Sequence, residues 1–273
     1  MSPTAADLLS ILERFQAQAT PVGKWRTLTP AFRASAPAIG NAFGVQGEQY
    51  RALLATMNLS PDDPGAWLAA WERIAASTTQ VLAAPVQSAV GVGLLAGANA
   101  LGQELAIDVA FNLSNPRAVA YLEAHGADLV AELNQTTKDR IKWLVTDGAR
   151  QGQSYTEIAN RISAEFIDYG RNNIIDILIG NQKWSRAEII AVTELGNAYE
   201  AGNAAQAADL RAGGLQMEKK WLIADNRADP PCPENSSQGW IPDEIPFQSG
   251  HMQPLAHPMC RCTCLRRRVG AGQ

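Results

Sequence analysis

The residues best suited to chemistry stand near the C-terminal end of the chain. Cys232, Cys260 and Cys262 are thiols, His257 sits three positions before Cys260, and Asp229 three positions before Cys232. Zinc takes four ligands from Cys, His or carboxylate in tetrahedral geometry. Cys232, Cys260 and Cys262 can supply three of them, with Asp229 or His257 as the fourth. Such a clasp would tie a loop to the C-terminal segment, and a lobe with few apolar residues gains much of its stability from a metal tie. The same thiols also fit plain reduced cysteines, or a Cys232–Cys260 disulfide formed outside the cell. Cys264 reads as a bystander and His251 as a weaker candidate than His257. His125, just before Gly126, reads as a surface residue.

Catalysis is not expected. Cys232 with His257 resembles a nucleophile and base, but the chain has no Gly-rich nucleophile turn, phosphate loop or His-Glu-x-x-His helix. A cysteine that shares a cluster with other cysteines is better placed as a ligand than as a nucleophile. Glu194 reads as a carboxylate paired inside the fold, with Arg227 or Arg261 as partner. Arg266, Arg267 and Arg268, with Lys219 and Lys220, are a candidate contact for nucleic acid or an acidic protein surface. A net charge of −4 with 18% charged residues argues against wholesale wrapping of nucleic acid. All four cysteines lie beyond Ile223, and that clustering points to one local site in a reducing compartment.

The elements that must position these residues are mainly α-helical. Leu8, Leu9, Ile11, Leu12 and Phe15 recur at helical spacing. Pro21, Pro30 and Pro37 predict a connector with short helical pieces over 20–47. A helix follows over 62–81, with Trp67 and Trp71 four apart on a core face. Asn115-Pro116 starts another helix, with Asn as cap, and Gly126 is expected to end it. A further helix runs from Ala127 to about Arg150. Ser154-Tyr-Thr-Glu157 and Ser185-Arg-Ala-Glu188 are capping boxes. The first opens a helix that buries Ile158, Ile162 and Phe166. The second opens a long helix carrying Ile189, Ile190 and Leu195, stopped by Gly213-Gly214. Small residues along one face of that helix suit close approach by another helix, and offer a surface for docking on a partner. After Gly214, Met217–Ile223 predicts a strand with Trp221 inside it, and Trp240-Ile241 a returning strand of a short hairpin.

The 273 residues, 46% of them hydrophobic, are enough for one large or two modest domains. The expected fold is mainly α with a small α+β C-terminal module, a short β-hairpin and a Cys/His-bearing loop. The expected divisions are a helical region over 1–126, a central helical part over 127–214 and the Cys/His module with a basic tail over 215–273. Met1–Ser10 has no basic start, and Asp7 interrupts its apolar residues, so a secretory leader is not expected. Val81–Leu101 carries no charge and contains Gly93-x-x-x-Gly97, a spacing used between membrane helices. It is rich in Ala and Gly and includes Pro85, Gln87, Ser88 and Asn99, so packing against protein is expected rather than a bilayer span.

An ordered set of motifs carries a resemblance. It comprises Arg186-Ala187, Thr193-Glu194, Trp221, Asp225-Asn-Arg227, Cys232, Gly239 and His257-Pro-Met-Cys260-Arg261-Cys262. In that order they resemble the phage Mu F-like minor head proteins, also called phage head morphogenesis proteins, over roughly 127–264. Two positions depart from the family pattern. Asp229 stands where the family has the first cysteine of a Cys-x-x-Cys pair, and Val192 stands where an arginine often precedes Thr-Glu.

The resemblance implies a structural head protein of a tailed bacteriophage, made in the host bacterial cytoplasm and built into the virion. It implies portal and capsid proteins as partners and a part in DNA packaging or delivery. Packaged DNA would meet Arg266, Arg267 and Arg268. The alternatives are a zinc-bearing DNA-binding module, a membrane-active protein ejected with the genome, and, least expected, a cysteine- or toxin-type enzyme.

Overall fold

A computed structural model describes residues 21–57, 59–107, 111–170, 184–224 and 230–270. The expected helix around Leu8 lies outside the described residues, as do Asp225, Arg227 and Asp229. Among the described residues, five long helices come first: α1 (Pro21–Ala55), α2 (Pro64–Glu104), α3 (Pro116–Arg150), α4 (Tyr155–Gly170) and α5 (Arg186–Ala212). Then come β1 (Met217–Leu222), the short α6 (Cys232–Ser237), β2 (Ile241–Pro242) and β3 (Thr263–Arg268). The fold is mainly α with a small α+β module at the C-terminal end, as expected.

Helix ends follow the local chemistry closely. At the start of α4, the Ser154 N–H donates to Glu157 Oε2 at 2.7 Å, and the Glu157 N–H returns to Ser154 Oγ at 3.4 Å. The same reciprocal box opens α5 through Ser185 and Glu188, at 2.7 and 3.2 Å. Asn115 caps α3, accepting from the Arg117 N–H at 2.9 Å. Beyond α5, Gly214 takes φ +94° and the Leu215 N–H reaches back to the Leu210 carbonyl at 3.1 Å.

Three expectations fail inside helices. The prolines of 20–47 do not break the chain into pieces, since α1 runs through Pro30 and Pro37. An interior proline costs roughly 3 kcal/mol, but Leu28, Ile39, Phe43, Tyr50 and Leu54 are all buried at helical spacing, and that burial outweighs it. Gly126 does not end its helix; α3 continues to Arg150, and one interior glycine costs only about 1 kcal/mol. His125 is therefore inside a helix and only partly exposed. The predicted helix over 62–81 continues through Pro85 to Glu104.

The described residues fall into two compact units. One draws on Met1–Arg33, Ala89–Leu122 and Val192–Gln273, the other on Ala34–Ser88 and Glu123–Ala191. The second unit is held by an aromatic core in which Tyr50, Trp67, Trp71 and Phe166 pack with Ile141, Leu144, Ile158 and Ile162. The Trp67–Trp71 face and the Ile158, Ile162, Phe166 face are both buried here, as the periodicity predicts.

In the first unit, α2 and α5 pack backbone to backbone. A Cβ added to Gly97 would lie 1.8 Å from the Tyr199 carbonyl oxygen, and one added to Gly202 would lie 2.0 Å from the Leu94 oxygen. Only hydrogen fits at either site. The small-residue face of α5, expected as a docking surface for a partner, is thus covered by the Gly93-x-x-x-Gly97 face of α2. That α2 segment is long and apolar enough to cross a membrane, with mean hydropathy 1.7 over its most apolar window, of which 56% is buried within the protein.

Candidate functional site

The C-terminal module belongs to the first unit and is built on a three-stranded antiparallel sheet in the order β2-β1-β3. The hairpin pairing expected for Trp240-Ile241 is present but short, with Lys219 opposite Ile241 and Glu218 opposite Pro242. The longer ladder is with β3, from Met217 opposite Arg268 to Leu222 opposite Thr263. The segment read from sequence as a basic tail is therefore a strand. Arg266 is 2% exposed, donates to Asp243 at 2.8 Å and to Asn203 at 2.5 Å. Arg267 pairs with Glu218 at 3.0 Å and stacks on Trp240, while Arg268 is exposed.

Cys232 opens α6, and Pro258 turns the chain between His257 and Cys260. The Cys260 N–H bonds back to the His257 carbonyl at 3.2 Å, and Met259 takes φ +62°. Proline second and a positive φ third is the pattern of a type II turn, which ordinarily wants glycine at the third place. Met259 tolerates it because its N–H is held by Thr193 Oγ1 at 3.1 Å. The Thr-Glu motif on α5 thus fixes the His-Pro-Met-Cys turn.

That turn gathers the site. Cys232 Sγ lies 3.6 Å from Cys260 Sγ and 3.6 Å from His257 Nε2, and the three ligand atoms lie within 4.8 Å of one another. His257 Nδ1 is 2.9 Å from the Pro258 carbonyl oxygen. An acceptor there requires the proton on Nδ1, so the Nε2 lone pair faces the sulfurs. Cys262 is buried in the same cluster but stands outside this close group of three. All four cysteines are buried and free of disulfides. Cys264 sits at the edge of the group, its own N–H held by Glu200 at 3.1 Å. His251 is engaged elsewhere, with Ser249 Oγ at 2.9 Å.

The thiols differ in acidity. The neighbouring Cys260 thiol, with the Ala224 backbone N–H and the Trp221 indole close by, pulls Cys262 down to about 6. The closeness of Cys262 in turn pushes Cys260 upward. Burial pushes Cys232 up to about 11 and Cys264 up to about 12. The first negative charge in the cluster therefore settles on Cys262.

Several site-building residues gave no signal in sequence. Glu200, fully buried on α5, accepts from Lys24 Nζ at 2.8 Å, Thr263 Oγ1 at 2.7 Å and the Cys264 N–H. Lys24 also donates to the Cys262 carbonyl at 3.0 Å. Together they pin the start of β3 to α5 and α1. Lys24 and Glu200 lie 176 positions apart, beyond any local pattern. Glu194 is buried as expected, and its charge acts on Tyr121. Arg186 is a brace, donating to Thr137 Oγ1 at 2.7 Å and the Leu133 carbonyl at 2.8 Å, and stacking on Tyr169.

Residues 139–265 match the model of the family described as Phage Mu protein F like protein. Over that segment the chain is similar to the phage Mu F-like family, and the resemblance drawn from its motifs is supported. The family is one of phage head morphogenesis, which implies a place in the virion. No curated protein and no solved structure matches the chain.

Proposed function

We propose that this protein is a structural minor head protein of a tailed bacteriophage, associated with the portal or the inner capsid surface, that assists DNA packaging or delivery and catalyses nothing. The observation that carries this reading is how the family motifs are employed. Arg186 braces α3, Thr193 holds the Met259 turn, and Trp221, Cys232, Cys260 and Cys262 fill the interior of the module, with half-buried His257 against Cys232. Motif residues spent on holding a fold are what an assembly protein needs. Of the terminal arginines, Arg267 and Arg268 reach solvent and are the ones available to packaged DNA.

The cysteine-enzyme reading draws on one observation, the 3.6 Å approach of His257 Nε2 to Cys232 Sγ. Burial opposes it, because Cys232 is 0% exposed and shares its pocket with other thiols. An amber mutation in the gene is expected to yield defective heads or particles that fail to deliver DNA. Complementation separates the two readings: folded protein carrying Cys232→Ala should restore infectious particles if the role is structural. Heads that assemble normally, package and eject their DNA, and yet remain non-infectious would overturn the structural reading.

A further inference from the structure

We propose that Cys232 Sγ, Cys260 Sγ and His257 Nε2 form a zinc site, with Cys262, buried in the same cluster, closing in as the fourth ligand when the metal binds. The distances carry it. Tetrahedral zinc with Zn–S of about 2.3 Å and Zn–N of about 2.05 Å sets S···S edges of about 3.8 Å and S···N edges of about 3.6 Å. The Cys232–Cys260 and Cys232–His257 edges are both 3.6 Å.

The surroundings are those of a ligand set. A metal-binding histidine donates its other ring N–H to a carbonyl or carboxylate, which fixes tautomer and orientation. His257 does this through Nδ1 to the Pro258 oxygen. Trp221 is fully buried, and its Nε1–H has no conventional partner, yet it lies close enough to Cys232 and Cys262 to favour their thiolates. The Ala224 N–H also donates to Cys262. Three thiolates around Zn²⁺ leave a net charge of −1, and these two N–H groups offset it beside buried sulfurs. As the Zn–S bonds form, the sulfurs still protonated release their protons to solvent.

The ligand assignment also accounts for the departure at Asp229. With Cys262 as the third thiolate, four ligands are supplied without Asp229. The site then joins the start of α6 to the strand entering β3, which is where the module has sulfur and little aliphatic packing.

Full-length protein, purified under reducing conditions, is expected to carry close to one zinc per chain by elemental analysis. Replacing zinc by Co²⁺ should give sulfur-to-cobalt charge-transfer bands whose intensity falls by about one third in Cys262→Ser, as three thiolates become two. Asp229→Asn should leave metal content and spectrum unchanged. Trp221→Phe, which removes no ligand, should weaken zinc about tenfold in competition with a chelator. Metal-free, freshly reduced wild-type protein that also fails to take up Co²⁺ overturns the site. If Asp229→Asn loses the metal while Cys262→Ser keeps the full spectrum, the assignment of Cys262 is overturned. The wild-type spectrum and Trp221→Phe remain decisive even if a ligand variant fails to fold.

Discussion

The second unit is stabilised by rings. Tyr50 meets Trp71 edge-on at 5.8 Å, and Phe166 lies 5.5 Å from Trp71. The C-terminal module of the first unit is stabilised by sulfur, buried charge and one tryptophan, with Trp221 and Phe247 among four cysteines and the Lys24–Glu200 and Arg266–Asp243 pairs buried beside them. Apolar burial is non-directional and tolerates small shifts of its neighbours. Buried ion pairs and hydrogen bonds fail as soon as one partner is removed. The same chain thus holds one region together by area and the other by specific partners.

The largest expected effects put that contrast to the test. Trp71→Ala empties the aromatic core and should cost about 4 kcal/mol in urea unfolding, from lost burial and the cavity left behind. Glu200→Gln should cost a similar amount, roughly 4 kcal/mol, for a different reason: the buried Lys24 loses its counter-ion and keeps only the Cys262 carbonyl. The second variant tells them apart. Adding Lys24→Met to Glu200→Gln should recover much of the loss, because the stranded charge is gone and the amide still serves Thr263 or the Cys264 N–H. No single polar-to-apolar change should rescue Trp71→Ala. If the Lys24→Met double variant is no better than Glu200→Gln alone, the module is not held by paired charge as argued.

A second test uses glycines. Gly97→Ala forces a methyl against the Tyr199 backbone and should cost about 2 kcal/mol as α2 and α5 separate. Gly44, inside α1, has nothing within 4 Å of an added Cβ. Gly44→Ala should instead raise stability by about 0.5 kcal/mol, through helix propensity alone. Equal effects from the two would mean that the close α2–α5 approach contributes nothing.

What was legible in the sequence follows the range of the forces. Caps and stops act within one turn of helix, so Ser154, Ser185, Asn115 and Gly214 announce themselves. The buried faces of Trp67, Trp71, Ile158, Ile162 and Phe166 could be read from period alone. The cysteines and His257 were legible as a set because few side chains can ligate metal. The passage of α1 through Pro30 and Pro37 was not, because local propensity there is overruled by burial that depends on other segments. β3 was hidden because three arginines look solvated unless Asp243 and Asn203 are known to face Arg266. Glu200 was hidden for the same reason, its partners being far away in the chain.

The smallest expected effects lie at the two capping boxes, which are chemically alike and differ in burial. Ser185 and Glu188 are 5% and 3% exposed. Ser185→Ala strips a buried N–H of its acceptor and should cost about 1 kcal/mol. Ser154 and Glu157 are exposed, so water replaces what Ser154→Ala removes and the loss should be smaller. The exposed box carries a pH signature. Hydrogen bonds from the Ser154 N–H and hydroxyl hold the Glu157 carboxyl below the usual carboxylate range. A carboxyl lowered in the folded state contributes its stability above the unfolded value, and loses it as pH falls through the folded value. The difference between Ser154→Ala and the parent should therefore be present at about pH 7 and shrink toward about pH 3. Urea midpoints at the two pH values measure it. A difference that stays constant across that range would assign the whole effect to the Ser154 hydroxyl as N-cap acceptor, with the hydroxyl's own bond to the Glu157 carboxylate contributing nothing.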